Sequence, residues 1–143
     1  MLAIEPNAEV AKRDPRRLRM LMERAGELIR EHRLSAVFVG IAGKEGDLLV
    51  PEFIAFVEAS LRVEDRIFVL TRERAVLLLT DVTLDAAESV LERVRGDFAA
   101  RFPAAADLQV SVRFHEVNPR SAHPTAKEIL PGLFSPDGSP QVS

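Results

Sequence analysis

Two apolar runs, Ile67-Phe68-Val69-Leu70 and Ala75-Val76-Leu77-Leu78-Leu79, stand four residues apart with three charges, Arg72-Glu73-Arg74, between them. So short a spacer cannot hold a crossover, so the two runs must pair as an antiparallel hairpin, with strands over 67–71 and 75–80. The turn contains neither Gly nor Asn, the residues that a tight hairpin prefers. A turn wider than two residues is therefore expected.

The flanking segments supply the partners of this hairpin. Asp14-Pro15 is a helix start, with an Asp cap and Pro at the first helical position. Leu18, Leu21, Met22, Ala25, Leu28 and Ile29 then recur at helical spacing and predict an amphipathic helix over 15–32. The nearly all-apolar run Ala36 to Ile41 predicts a buried strand. Pro51 opens a helix over about 51–62, carried by Phe53, Ile54, Phe56, Val57 and Leu61. Thr83 is a candidate cap for a helix over about 84–101, and Asp85 with Glu88 offers a second capping box. Leu108, Val110, Val112 and Phe114 alternate with polar residues, the period of a half-buried strand. The order is a helix followed by β-α-β-β-α-β, which predicts an α+β fold with two helices on one face of a mostly antiparallel sheet.

The 143 residues are expected to form one domain over 13–118, after a flexible arm over 1–12 and before a Pro-rich tail over 119–143. Five of the nine prolines fall in that tail. Ala126 to Leu130 could make one helical turn there. The apolar knot Ile129 to Phe134 suits either folding back on the domain or a short motif for a partner. There is no cysteine, which excludes disulfides and thiolate metal sites and suits a cytoplasmic setting. No apolar run approaches the roughly 20 residues of a membrane span, and the N-terminus does not read as a secretory signal. His32, His115 and His123 lack metal-ligand spacing. Residues 12–33 carry eight Lys/Arg against four acids, a local charge of +4 that leaves −7 for the rest. A solvated helix face accounts for this. No aromatic residue lies in the stretch to stack on a base, so nucleic-acid binding is not expected.

Four short motifs stand in one register. Arg62-Val63-Glu64-Asp65 is an RxxD, and five residues separate Asp65 from the turn that starts at Thr71. Gly46-Asp47 precedes Arg62 by sixteen residues. Thr80-Asp81-Val82-Thr83 leads to Glu92-Arg93-Val94-Arg95, and Val110-Ser111-Val112 follows. Over roughly residues 35–114 this pattern resembles the bacterial GGDEF (diguanylate cyclase) family. The resemblance implies a nucleotidyl-cyclase-like sheet with an extra N-terminal helix. It also implies a product-binding site in which Arg62 and Asp65, helped by Arg93, grip cyclic di-GMP.

The departures from the family bear on catalysis. Joining two GTP needs metal ions held by carboxylate oxygens. Where the family has an Asp at the end of its first strand, this chain has Gly40-Ile41-Ala42. Where the family has its glycine-rich acidic turn, this chain has Thr71-Arg72-Glu73-Arg74, which lacks the glycines that permit close backbone approach to phosphates. The stretch that reads guanine in the cyclases is missing. The resemblance thus implies no enzyme, no metal and no cofactor. It implies a receptor for cyclic di-GMP that regulates a protein partner and could be bridged into a homodimer by a stacked dinucleotide. The alternative is a ligand-free scaffolding or dimerisation module, with Arg62 and Asp65 in structural roles and the charged turn 71–74 as a contact surface.

Overall fold

In the computed structural model, which describes residues 15–118 and 126–134, the elements run α1 (Pro15–His32), β1 (Ala36–Gly43), α2 (Leu49–Ser60), β2 (Arg66–Thr71), β3 (Arg74–Thr80), α3 (Leu84–Arg101), a 3₁₀ turn (Pro103–Asp107), β4 (Val110–Val117) and α4 (Ala126–Leu133). The expected arm over 1–12 and the Asp14 cap lie outside the described residues. The four strands form one sheet in the order β2-β3-β1-β4, and every pairing is antiparallel.

Burial follows from that order. The central strands β1 and β3 are apolar almost throughout, because both of their faces are covered. The edge strands β2 and β4 are half-buried: β4 alternates, whereas β2 is apolar from Ile67 to Leu70 and packs Ile67 and Val69 toward one layer and Phe68 and Leu70 toward the other. Val37, Val39 and Ile41 of β1 and Ala75, Leu77 and Leu79 of β3 face α2 and α3. Phe98 of α3 centres this layer, with its ring 5.3 Å from Phe53 and 5.4 Å from Phe56. The alternate residues Ala36, Phe38, Val76 and Leu78 face α1 and α4, where Leu21, Met22, Ala25 and Ile29 meet Ile129 and Leu133. The two-helix face expected from the sequence is present. The opposite face is covered as well, by α1 and by α4.

The ends of the elements have local causes. Thr83 caps α3, its Oγ1 accepting from the Ala86 N–H at 3.2 Å, and Glu116 accepts from the Leu84 N–H at 3.0 Å. The helix already starts at Leu84, so the alternative Asp85–Glu88 box is not used. Arg33 takes a positive φ of 56° after α1, and the Leu34 N–H reaches back six residues to the Leu28 carbonyl at 3.3 Å.

The hairpin turn differs from expectation. Thr71 pairs with Arg74, so only Arg72 and Glu73 lie between the strands. A register shift between Val69 and Thr71 absorbs one residue as a bulge, and the Thr71 hydroxyl accepts from the Glu73 N–H at 3.2 Å. Those two devices replace the missing glycine. The C-terminal helix is also longer than the single turn expected. It runs to Leu133 with Pro131 inside it, and its Ile129 and Leu133 are buried against the sheet.

Gly40 is where α4 meets β1. A Cβ at this position would lie 2.6 Å from the Leu133 Cβ and 3.2 Å from the Leu133 carbonyl oxygen. Gly40→Ala is therefore expected to cost about 1–3 kcal/mol through overpacking. In a Leu133→Gly background the same change should cost less, because the contacted Cβ has been removed. Urea unfolding midpoints of the four proteins measure this coupling.

Candidate functional site

The RxxD sequence forms a turn between α2 and β2. The Asp65 N–H donates to the Arg62 carbonyl at 3.0 Å, which puts Val63 and Glu64 at the tip. Val63 is almost fully exposed there. Arg66 braces the turn from below, its Nη1 donating to the carbonyls of Val63 at 2.7 Å and Asp65 at 2.8 Å.

Asp65 points inward, with only 3% of its side chain exposed. Its Oδ2 accepts from the Arg62 N–H and from Arg62 Nε, both at 3.0 Å. Its Oδ1 accepts from Arg62 Nη2 at 3.0 Å and from the buried Thr80 N–H at 3.3 Å. Arg62 Nη2 also donates to the Thr80 carbonyl at 2.7 Å. The guanidinium and carboxylate thus meet as a two-pronged fork, and both reach the end of β3. The arrangement fastens the end of α2 to the central sheet. Asp81 follows in the left-handed region at φ 57°, its N–H bonded to the Ser35 carbonyl at 2.8 Å.

Arg62 has a second side. Its side chain is 47% exposed, and Nη1 stands 3.4 Å from Glu64 Oε2. The Arg62 pKa is raised above its usual value, first by the hydrogen bond to Asp65. Burial works against the shift, and the charges of Asp65, Glu64 and Asp81 reinforce it. The cation is permanently charged, aligned by its inner face and open at its outer edge.

Among the described residues, none of the other expected residues is hydrogen-bonded or ion-paired to this fork. Arg93 is exposed in the middle of α3, and its side chain makes no hydrogen bond or ion pair with the described residues. Thr71 and Glu73 serve the hairpin turn, and Glu73 Oε2 accepts from the Gly46 N–H at 3.4 Å. Gly46 has φ +87°, and Asp47 Oδ1 accepts from the Leu49 N–H at 2.9 Å at the start of α2, so this pair shapes a turn and a helix start. Arg74 lies over the Phe134 ring at 5.7 Å and clasps the end of α4. Arg72 is exposed. Among the described residues no group of three or more His, Asp or Glu could hold a metal ion, and no helix is long and apolar enough to cross a membrane. Sequence reasoning did not include Thr80, whose backbone is the anchor of the fork. It also passed over Glu64, because the middle letters of an RxxD carry no constraint of their own.

The fold is that of a GGDEF-like domain. The chain superimposes on PelD 158-CT from Pseudomonas aeruginosa PAO1 with a TM-score of 0.67 and 22% identity, over 82% of this chain and 44% of that one. PelD 156-455 from P. aeruginosa PA14 in complex with c-di-GMP gives 0.63 and 23%, over 82% and 43%. The GGDEF domain of DgcB from Caulobacter crescentus in complex with c-di-GMP gives 0.60 and 12%, over 74% and 73%. The chain spans less than half the length of these PelD structures. No protein-family profile and no curated protein matches it.

Removing the carboxylate at position 65 strands the Thr80 N–H and the inner edge of Arg62. Asp65→Ala should therefore lower stability by about 2 kcal/mol, in line with leaving buried donors unpaired. Arg72→Ala, at the exposed hairpin tip, should stay within about 0.5 kcal/mol of the wild type. Chemical denaturation with an unchanged m-value would check both.

Proposed function

We propose that this domain is a catalytically inactive receptor for cyclic di-GMP that reads the ligand at the RxxD turn and passes the signal to a protein partner. The observation that carries the reading is the Arg62 fork. Asp65 aligns the guanidinium at 3.0 Å from the inside, while its outer edge stays open to solvent. A planar, permanently charged donor of this kind suits guanine O6/N7 or a phosphate oxygen. Structures with the same fold hold c-di-GMP, which supports the choice of ligand. Arg93, exposed on α3, offers a second cation for a dianion, and a stacked pair of dinucleotides could join two copies of the domain.

Absence of cyclase activity is part of the same proposal. Gly40 begins the stretch Gly40-Ile41-Ala42, where the resemblance to the family would require a metal carboxylate. Leu133 is packed against Gly40 at a distance that leaves no room even for a Cβ. The hairpin turn presents Arg72 and Glu73 in place of glycines.

A second reading is a ligand-free interaction module. One observation favours it: the Asp65 carboxylate is wholly engaged inside the protein. Calorimetric titration separates the two. Under the receptor reading, wild-type protein binds cyclic di-GMP, Arg62→Ala weakens binding at least about ten-fold, and Arg93→Ala weakens it less. Arg62→Lys should not restore affinity, because a point charge cannot replace the fork. No heat of binding from a folded wild-type protein would favour the scaffold. GTP with magnesium should yield no cyclic di-GMP, as read by chromatography of the reaction.

A further inference from the structure

The RxxD turn holds two carboxylates in very different circumstances. Asp65 is buried and accepts from four donors: the Arg62 N–H, Nε and Nη2, and the Thr80 N–H. To touch a ligand it would have to abandon some of these, leaving a buried backbone N–H without an acceptor. Glu64 is half-exposed, and among the described residues its one ion pair is Oε2 to Arg62 Nη1 at 3.4 Å. An exposed pair at that distance contributes little and is readily exchanged. The carboxylate that can reach a ligand is that of Glu64.

Its position gives it a specific complement. At the tip of the turn, the Glu64 carboxylate and Arg62 Nη1 stand side by side, so the protein offers acceptors next to a donor. The pairing edge of guanine offers the reverse: O6 accepts, and N1–H and N2–H donate. Adenine has no N1–H, and its N1 lone pair would face the carboxylate. We propose that Glu64 accepts from guanine N1–H and N2–H while Arg62 Nη1 donates to O6, and that Asp65 acts as a positioning residue that holds Arg62. This assignment rests on the cyclic di-GMP reading above and names the group that would select guanine within it.

The test is calorimetric titration of wild type and Glu64→Gln with cyclic di-GMP and with cyclic di-AMP, alongside thermal unfolding of both proteins. Glu64 is a half-exposed surface side chain whose ion pair with Arg62 is loose, so the variant should unfold at the wild-type temperature. The expected result is a loss of cyclic di-GMP affinity of about ten-fold in Glu64→Gln, with cyclic di-AMP affinity unchanged, so that guanine preference falls. Equal or tighter binding of cyclic di-GMP by Glu64→Gln would overturn the proposal and leave the receptor reading intact. So would an equal loss for both dinucleotides, or a wild type that does not prefer guanine. A wild type that binds neither dinucleotide would remove the receptor reading itself, and this assignment with it.

Discussion

Burial of the central strands on both faces is the constraint from which the rest of the molecule follows. β1 and β3 have no polar face to offer to water, so two helical layers are needed, one on each side. α2 and α3 supply one layer through Phe53, Leu91, Val94 and Phe98. α1 and α4 supply the other through Leu21, Met22, Ile129 and Leu133. With both faces taken, an exposed polar site has to lie at the ends of the strands or in the turns between elements. The RxxD turn occupies such a place, between the end of α2 and the start of β2 and against the end of β3.

Within that frame the Arg62–Asp65 fork has two faces with separate consequences. The inner face is structural. Asp65 joins the turn to the Thr80 backbone, and in doing so it fixes the plane of the guanidinium. The outer face is chemical. The open edge of Arg62 is already oriented, so a ligand would not bear the full entropy of ordering a long side chain. A buried, fully paired carboxylate and a half-exposed cation are therefore parts of one device.

Much of this architecture was legible in the residues. The helical spacing from Leu18 to Ile29 and from Leu84 to Phe98 marked α1 and α3 at their observed bounds. The apolar runs marked the central strands. The parts that were not legible depend on contacts distant in sequence. The turn at Arg72-Glu73 closes through a bulge and a threonine hydroxyl, which no turn composition announces. α4 reads as a proline-rich segment until the sheet face beneath it is known, since only tertiary packing rewards an eight-residue helix with Pro131 inside. For the site, Arg62 and Asp65 stood out by spacing, but their division of labour did not. Whether a carboxylate faces inward or outward depends on Thr80, fifteen residues further along the chain.

The seat of Leu133 on Gly40 also bears on how freely this domain could exchange one role for another. A side chain at position 40 needs the volume that Leu133 fills, and Leu133 needs the absence of a side chain at position 40. Each residue therefore holds the other in place, and neither can change alone without strain or a cavity. An aspartate at position 40 would meet a packed methylene before it met any ion. A route from this chain to a metal carboxylate at position 40 would have to displace α4, recover the apolar cover lost from Phe38, Val76 and Leu78, and rebuild the hairpin turn together. The contact acts as a ratchet: a small step in the direction that admits the helix, and a concerted rearrangement in the other.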